Sequence, residues 1–182
     1  MHAMLAEVGA VPAGTDAASD GTTRADFGLV GDRRIPLTPA DDVEFIDFFV
    51  PHHRMAVEMV EHEIAHGADS KVVMMAKMMR DAQTEEITLM TQKRTELAGT
   101  AEPSPASPDP HAMSEMAEMM KMSGAELDQM FLSEMIVHHA SALPTAHRAK
   151  PHVEDAALGE LADAMYEAQA KEIGEMRMML NE

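Results

Sequence analysis

Apolar and polar positions alternate with a helical period through four long stretches of this chain. The clearest stripe is His52, Met55, Ala56 and Met59, at i, i+3, i+4 and i+7 of one helix face. Spacing and punctuation predict a first helix over residues 39–66, opened by Thr38-Pro39 with Asp41 and Asp42 in its first turn and closed by Gly67. A second helix is predicted from Asp69-Ser70 to about Leu97, ending at Gly99. Residues 100–112, TAEPSPASPDPHA, carry four prolines and are read as a stiff linker without helix. A short helix over 113–121, interrupted at Ser123-Gly124, precedes a long helix over 125–150, and Pro151 restarts the chain into a last helix ending near Leu180.

The chain also repeats itself. A gapless shift of 86 residues lays Asp42 on Asp128, Phe45 on Phe131, His52-His53 on His138-His139 and His66 on His152. The same shift lays Met79 on Met165, Gln83 on Gln169 and Glu86 on Glu172. The repeated unit is one helical hairpin. A single hairpin buries too little surface to stand alone, so two are expected to pack about a pseudo-two-fold axis. The fold class predicted is all-α, a four-helix bundle built from two repeated helical hairpins. Its expected organisation is a flexible N-terminal arm over 1–37, a first hairpin over 38–99, a Pro-rich linker and Met-rich segment over 100–124, and a second hairpin over 125–182, the two hairpins forming one bundle domain.

Composition narrows the chemistry. The 182 residues include 20 Met and no Cys or Trp, with aromatics at 3%, so disulfides, zinc fingers, iron–sulfur clusters and thiol catalysis are excluded together. Fourteen Lys and Arg against thirty-two Asp and Glu give a net charge of −18, which argues against nucleic acid and anionic lipid as partners and favours attraction of cations. No run approaches a membrane span. Residues 1–12 carry Glu7 and no basic region before the apolar ones, a poor secretory signal as written.

Metal-binding side chains concentrate at mid-helix. In a hairpin turning at Gly67, His52 and His53 face Met79, Gln83 and Glu86, with Met55 and Met59 on the stripe of His52. The second copy sets His138 and His139 opposite Met165, Gln169 and Glu172, but has Pro144 and Thr145 where the first has Glu58 and Met59. Imidazole with thioether suits a soft ion, Cu(I) above all, and imidazole with carboxylate could hold Cu(II), Zn or Ni. Core packing is the competing reading of every one of these His and Met residues. Asp42 and Asp128 lie roughly 16 Å along their helices from His53 and His139, too far to share an ion, and are read as caps or charge partners. His62 and His66, with Glu58, form a candidate chelate at a helix end, while His66 and His152 are also explained as shaping the turns. Met74, Met75, Met78 and Met79 form one cluster. Met113, Met116, Met119, Met120 and Met122, beside His111, form another that reads either as a copper-capturing element or as a soft docking groove.

The strings FIDFFVPHHRMAVEM and AELDQMFLSEMIVHHASAL, each followed by an AQ..EI..M segment, resemble the DUF305 family over residues 38–182. The resemblance implies a ferritin-like four-helix fold, an extracytoplasmic setting and, for some members, copper binding or tolerance. Carried over by position, the family's Asp is Asp42 and Asp128, its His pair is His52-His53 and His138-His139, and its turn histidines are His66 and His152. The function expected is non-enzymatic copper binding for buffering or tolerance, with copper as the only expected cofactor. Two alternatives stay open: a structural or protein-interaction bundle without metal, partnered by a helix or a second copy, and a ferritin-like oxidase. The last is weakened because Glu63-x-x-His66 has Ala149 at the matching Glu position.

Overall fold

The computed structural model describes residues 38–103 and 110–181, with side chains from residue 113 onward in the short third helix. The arm expected over 1–37 and the side chain of His111 lie outside the described residues. Five helices follow in order: α1 (Asp42–His66), α2 (Ser70–Ala98), α3 (Pro110–Met119), α4 (Gly124–Ala149) and α5 (Ala156–Met179), with no strand among the described residues. None of these helices is long and apolar enough to cross a membrane.

Local chemistry explains where they begin. Asp41, in extended conformation, caps α1 by accepting from the Glu44 amide at 2.9 Å, while Glu44 accepts from the Ala40 amide at 3.0 Å. The helix therefore starts at Asp42 and not at Pro39. Asp69 caps α2 through Lys71 N, and Asp155 caps α5 through Ala157 N and Leu158 N. Helix α3 starts at Pro110, inside the segment expected to be linker. Proline is well suited to a first helical position, because that N–H would be unpaired in any case. Helices α1 and α4 run unbroken through Pro51 and Pro144.

Helix α1 packs on α2 and α4 on α5, giving the two hairpins, which meet chiefly along α1 and α4. This is an all-α, ferritin-like arrangement, with α3 as a fifth, short element lying against α4. The core divides into two apolar clusters. One joins Phe45, Phe48, Phe49 and Val50 at the start of α1 to Ala142, Ala146 and Ala149 at the end of α4, with Leu158 and Met165 of α5. The other joins Ala56, Met59 and Val60 late in α1 to Leu127, Phe131 and Met135 early in α4, with Met79 of α2 and Met176 of α5. The pairing of starts with ends makes α1 and α4 antiparallel. Between the clusters, at the midpoint of both helices, sits a polar layer of four histidines.

Two aspartates tie the hairpins together. Asp128 of α4 accepts from the amides of Ala68 and Asp69, both at 2.9 Å, at the turn of the first hairpin. Asp42 of α1 accepts from Glu154 N at 3.0 Å and Asp155 N at 3.2–3.3 Å, at the turn of the second. Each hairpin thus caps the other's second helix, satisfying amides that a helix start leaves unpaired. The sequence placed these carboxylates as caps or charge partners within their own first turn. Their partners lie instead across the pseudo-two-fold.

Candidate metal centre

His52, His53, His138 and His139 are each at most 2% exposed. Their Nε2 atoms are all engaged. His53 Nε2 lies 2.7 Å from Glu86 Oε2, and His139 Nε2 lies 2.7 Å from Glu172 Oε2, the same bond in both repeats. His138 Nε2 lies 3.0 Å from the backbone oxygen of His52, which can only accept, so Nε2 carries the proton. His52 Nε2 lies 3.1 Å from Ser141 Oγ, whose own proton is donated to His138 O at 2.7 Å, so here too Nε2–H is the donor.

The consequence lies on the other nitrogen. All four Nδ1 atoms are buried and have no hydrogen-bond partner. A buried lone pair without a donor costs free energy unless something else takes it up. A metal-ligating histidine has the complementary arrangement: one ring nitrogen faces the ion, and the other donates to a carboxylate, carbonyl or hydroxyl that fixes tautomer and orientation. Burial, and then the neighbouring imidazoles, hold His52 and His138 well below the ordinary histidine pKa, so both rings are neutral at pH 7 as ligation requires.

The structure brings some of the sequence-predicted residues together and separates others. His52 meets His138 of the other hairpin, with ring centroids 3.7 Å apart and the rings tilted by 36°. Met79 and Met165 are buried in the two apolar clusters. Gln83 and Gln169 are 5% exposed, and each has a buried, unpartnered Oε1. Glu86 and Glu172 serve as acceptors for His53 and His139. Met55 and Met59, on the stripe of His52, line a cleft with His138 of the other hairpin, closed from the side by Met116 and Met119 of α3. Thioethers from two helices and an imidazole from a third therefore line one space, together with Glu115, Glu134 and Val137. The 86-residue shift lays Met55 on Ser141 and Met59 on Thr145, so the second copy supplies no thioether pair at the matching positions. His66 and His152 are exposed at the turns.

One participant escaped the sequence reading. Ser141 orients His52, yet the repeat aligns it with Met55, so no regularity points to it. Glu63, read in the sequence only as part of Glu63-x-x-His66, is fully buried beside Asp128. Burial, and then the Asp128 carboxyl group, push its pKa up to about 8. Among the described residues, no three His, Asp or Glu side chains are grouped so as to hold a metal ion. A carboxylate-rich di-iron site of the ferritin type needs such a group, whereas a soft site completed by thioethers does not.

No functionally curated protein matches the chain. Among solved structures, it is similar to a DUF305 protein of Streptomyces coelicolor described as secreted, at 22% identity and TM-score 0.68, covering 79% of this chain and 94% of that one. It is also similar to CopM in its Ag-bound form, at 25% identity and TM-score 0.65 over 78% of this chain and 96% of that one. For CopM in its Cu(I)-bound form the identity is 24% and the TM-score 0.67, over 77% and 95%. The family model for DUF305, a domain of unknown function, matches residues 33–94 and again 91–180, one match for each hairpin, and the chain belongs to that family.

Proposed function

We propose that this protein binds copper reversibly, as Cu(I), for buffering or tolerance outside the cytoplasm, and that it acts as a metal carrier and not as an enzyme. The observation that carries the proposal is the cleft in which Met55, Met59, Met116 and Met119 meet His138, whose buried Nδ1 has no hydrogen-bond partner while its Nε2–H is held by a carbonyl. Thioether and neutral imidazole are the donors a soft monovalent ion prefers over harder competitors. The net charge of −18 adds long-range attraction for cations. The likeness to CopM, solved with Cu(I) and with Ag, and the secreted Streptomyces relative support the metal and the compartment.

In this reading the methionines supply soft donors, and His138 supplies the nitrogen that fixes the ion's place. The His52 carbonyl and Ser141 hold the two adjacent rings in the tautomer that leaves Nδ1 free. His53 and His139, each held by a carboxylate, are the further imidazoles of the same layer.

Titration with Cu(I) against a chromophoric competitor tests the proposal. Tight stoichiometric binding that weakens in the Met55→Leu/Met59→Leu variant is expected. Binding no tighter than that of a His-free, equally acidic control protein would overturn it.

A further inference from the structure

A second set of soft donors lies beside the cleft. His62 and His66, four residues apart near the end of α1, bring their rings to 4.6 Å between centroids. Helix α3 lies across them, so that Met113, Met116 and Met120 share one open groove with both histidines. His62 Nε2 is 3.1 Å from the backbone oxygen of Met122 and must donate to it, which leaves Nδ1 as the lone pair. The groove repeats the chemistry of the inner cleft, imidazole with thioether, but is more open to solvent than the cleft. His66 is exposed, and Met113 is 45% exposed. One residue, Met116, lines both spaces.

We infer that this groove is an outer soft-metal site that takes up a monovalent ion from solvent and passes it to the inner cleft through Met116. The inference rests on the copper reading above. Its physical basis is placement: α3 presents Met113 outward, Met119 inward and Met116 to both, and half-buried Met120 in the turn after it lines the groove, so one thioether can join the inner set before the outer one releases. The step is a ligand exchange. One metal–donor bond forms as another breaks, the ion keeps its charge, and no oxidant or reductant takes part. Glu58 at the rim adds negative charge that draws cations to the entry, while Glu61 beside it is paired with Arg80 at 3.9 Å.

Silver(I), redox-inert and of the same donor preference, is the probe. Protein labelled with 13C at the methionine methyl groups is titrated with silver nitrate and followed by NMR, while stopped-flow measurements time the loading of the inner cleft. The wild-type chain is expected to take up two ions, with the Met113 and Met120 methyls moving with one of them and those of Met55 and Met59 with the other. His62→Ala/His66→Ala is expected to lose the outer ion, keep the inner one and load it more slowly. Met113→Leu/Met120→Leu, which keeps apolar volume, should behave alike. Retention of both ions by the variants, or Met113 and Met120 methyls that never shift, overturns the outer site. An unchanged loading rate overturns the transfer. If no methionine methyl shifts at all, the copper reading itself fails.

Discussion

His52 and His138, 86 positions apart, meet with ring centroids 3.7 Å apart and planes tilted by 36°, and the Nε2 of His138 donates to the backbone oxygen of His52. The contact joins the two repeats at their pseudo-two-fold, and it is buried on every side. Both rings are neutral because a charge there would be desolvated and would face its neighbour.

A pH dependence follows for the metal-free protein. In the unfolded chain these histidines take up protons near pH 6.5, but in the fold they resist doing so. With the folded pKa depressed, their contribution to stability is complete above about pH 6.5 and is lost as pH falls below it. Melting temperature measured in chelator should therefore drop from pH 7 to pH 5, and His52→Phe/His138→Phe should flatten that slope.

Glu63 gives the opposite sign. Its folded pKa is raised from 4.5 to about 8, so between those values the unfolded chain releases a proton that the folded chain keeps. Stability is highest below about pH 4.5 for this group and declines as pH rises toward 8. Glu63→Gln should gain on the wild type as pH is raised across that window, read as a melting difference that grows between pH 5 and pH 8. A difference independent of pH would show that Glu63 is not protonated in the fold.

The turn beside Glu63 admits only glycine, and for reasons of space. Gly67 has φ −68° and ψ 158°, a conformation open to any residue. A Cβ there would overlap Glu63 Oε1 and come within 2.8 Å of the Glu63 backbone oxygen. Gly67→Ala should destabilise the first hairpin. Combining it with Glu63→Ala should recover part of the loss, which a double-mutant cycle in urea would measure.

The crossed caps should be separable from copper binding. Asp42→Ala and Asp128→Ala each remove a carboxylate that accepts from the two amides at the other hairpin's turn, at a cost of about 1–2 kcal/mol each. Urea denaturation checks the magnitude. Cu(I) affinity measured well below the denaturation midpoint should be unchanged, because neither residue lines the cleft.

Thioether number, and not core volume, should govern affinity at the cleft. Met55→Leu/Met59→Leu keeps the packing at a cost of less than about 1.5 kcal/mol for each substitution, yet removes two donors. Met79→Leu/Met165→Leu makes the same exchange inside the apolar clusters. Competitor titration should show weakened Cu(I) binding in the first variant only.

Much of the architecture could be read from residue spacing. Asp69 as a helix start, Gly99 in left-handed conformation as a stop and the 86-residue repeat are local or translational features, whereas the last helix starts at Ala156, capped by Asp155, and not at Pro151. The His53–Glu86 and His139–Glu172 bonds are nearly so, because each joins helices whose register one short turn fixes. Pro110 was misread because four prolines in thirteen residues look like an unbroken linker, although the last of them opens α3.

The sequence by itself determined the helices, the hairpins and which residue types recur at mid-helix, since periodicity and capping act within a few turns of chain. Only the tertiary structure decided what the hairpins do to each other. Periodicity says which face of α1 is apolar, but not which face of α4 it meets or at what height. Docking α1 antiparallel on α4 set His52 against His138, sent Asp42 and Asp128 to opposite turns, and brought Met55 and Met59 to one cleft with His138. That choice belongs to the packing of large side chains at the two ends of the interface, Phe45, Phe48 and Phe49 on one side of the histidines and Phe131 and Met135 on the other.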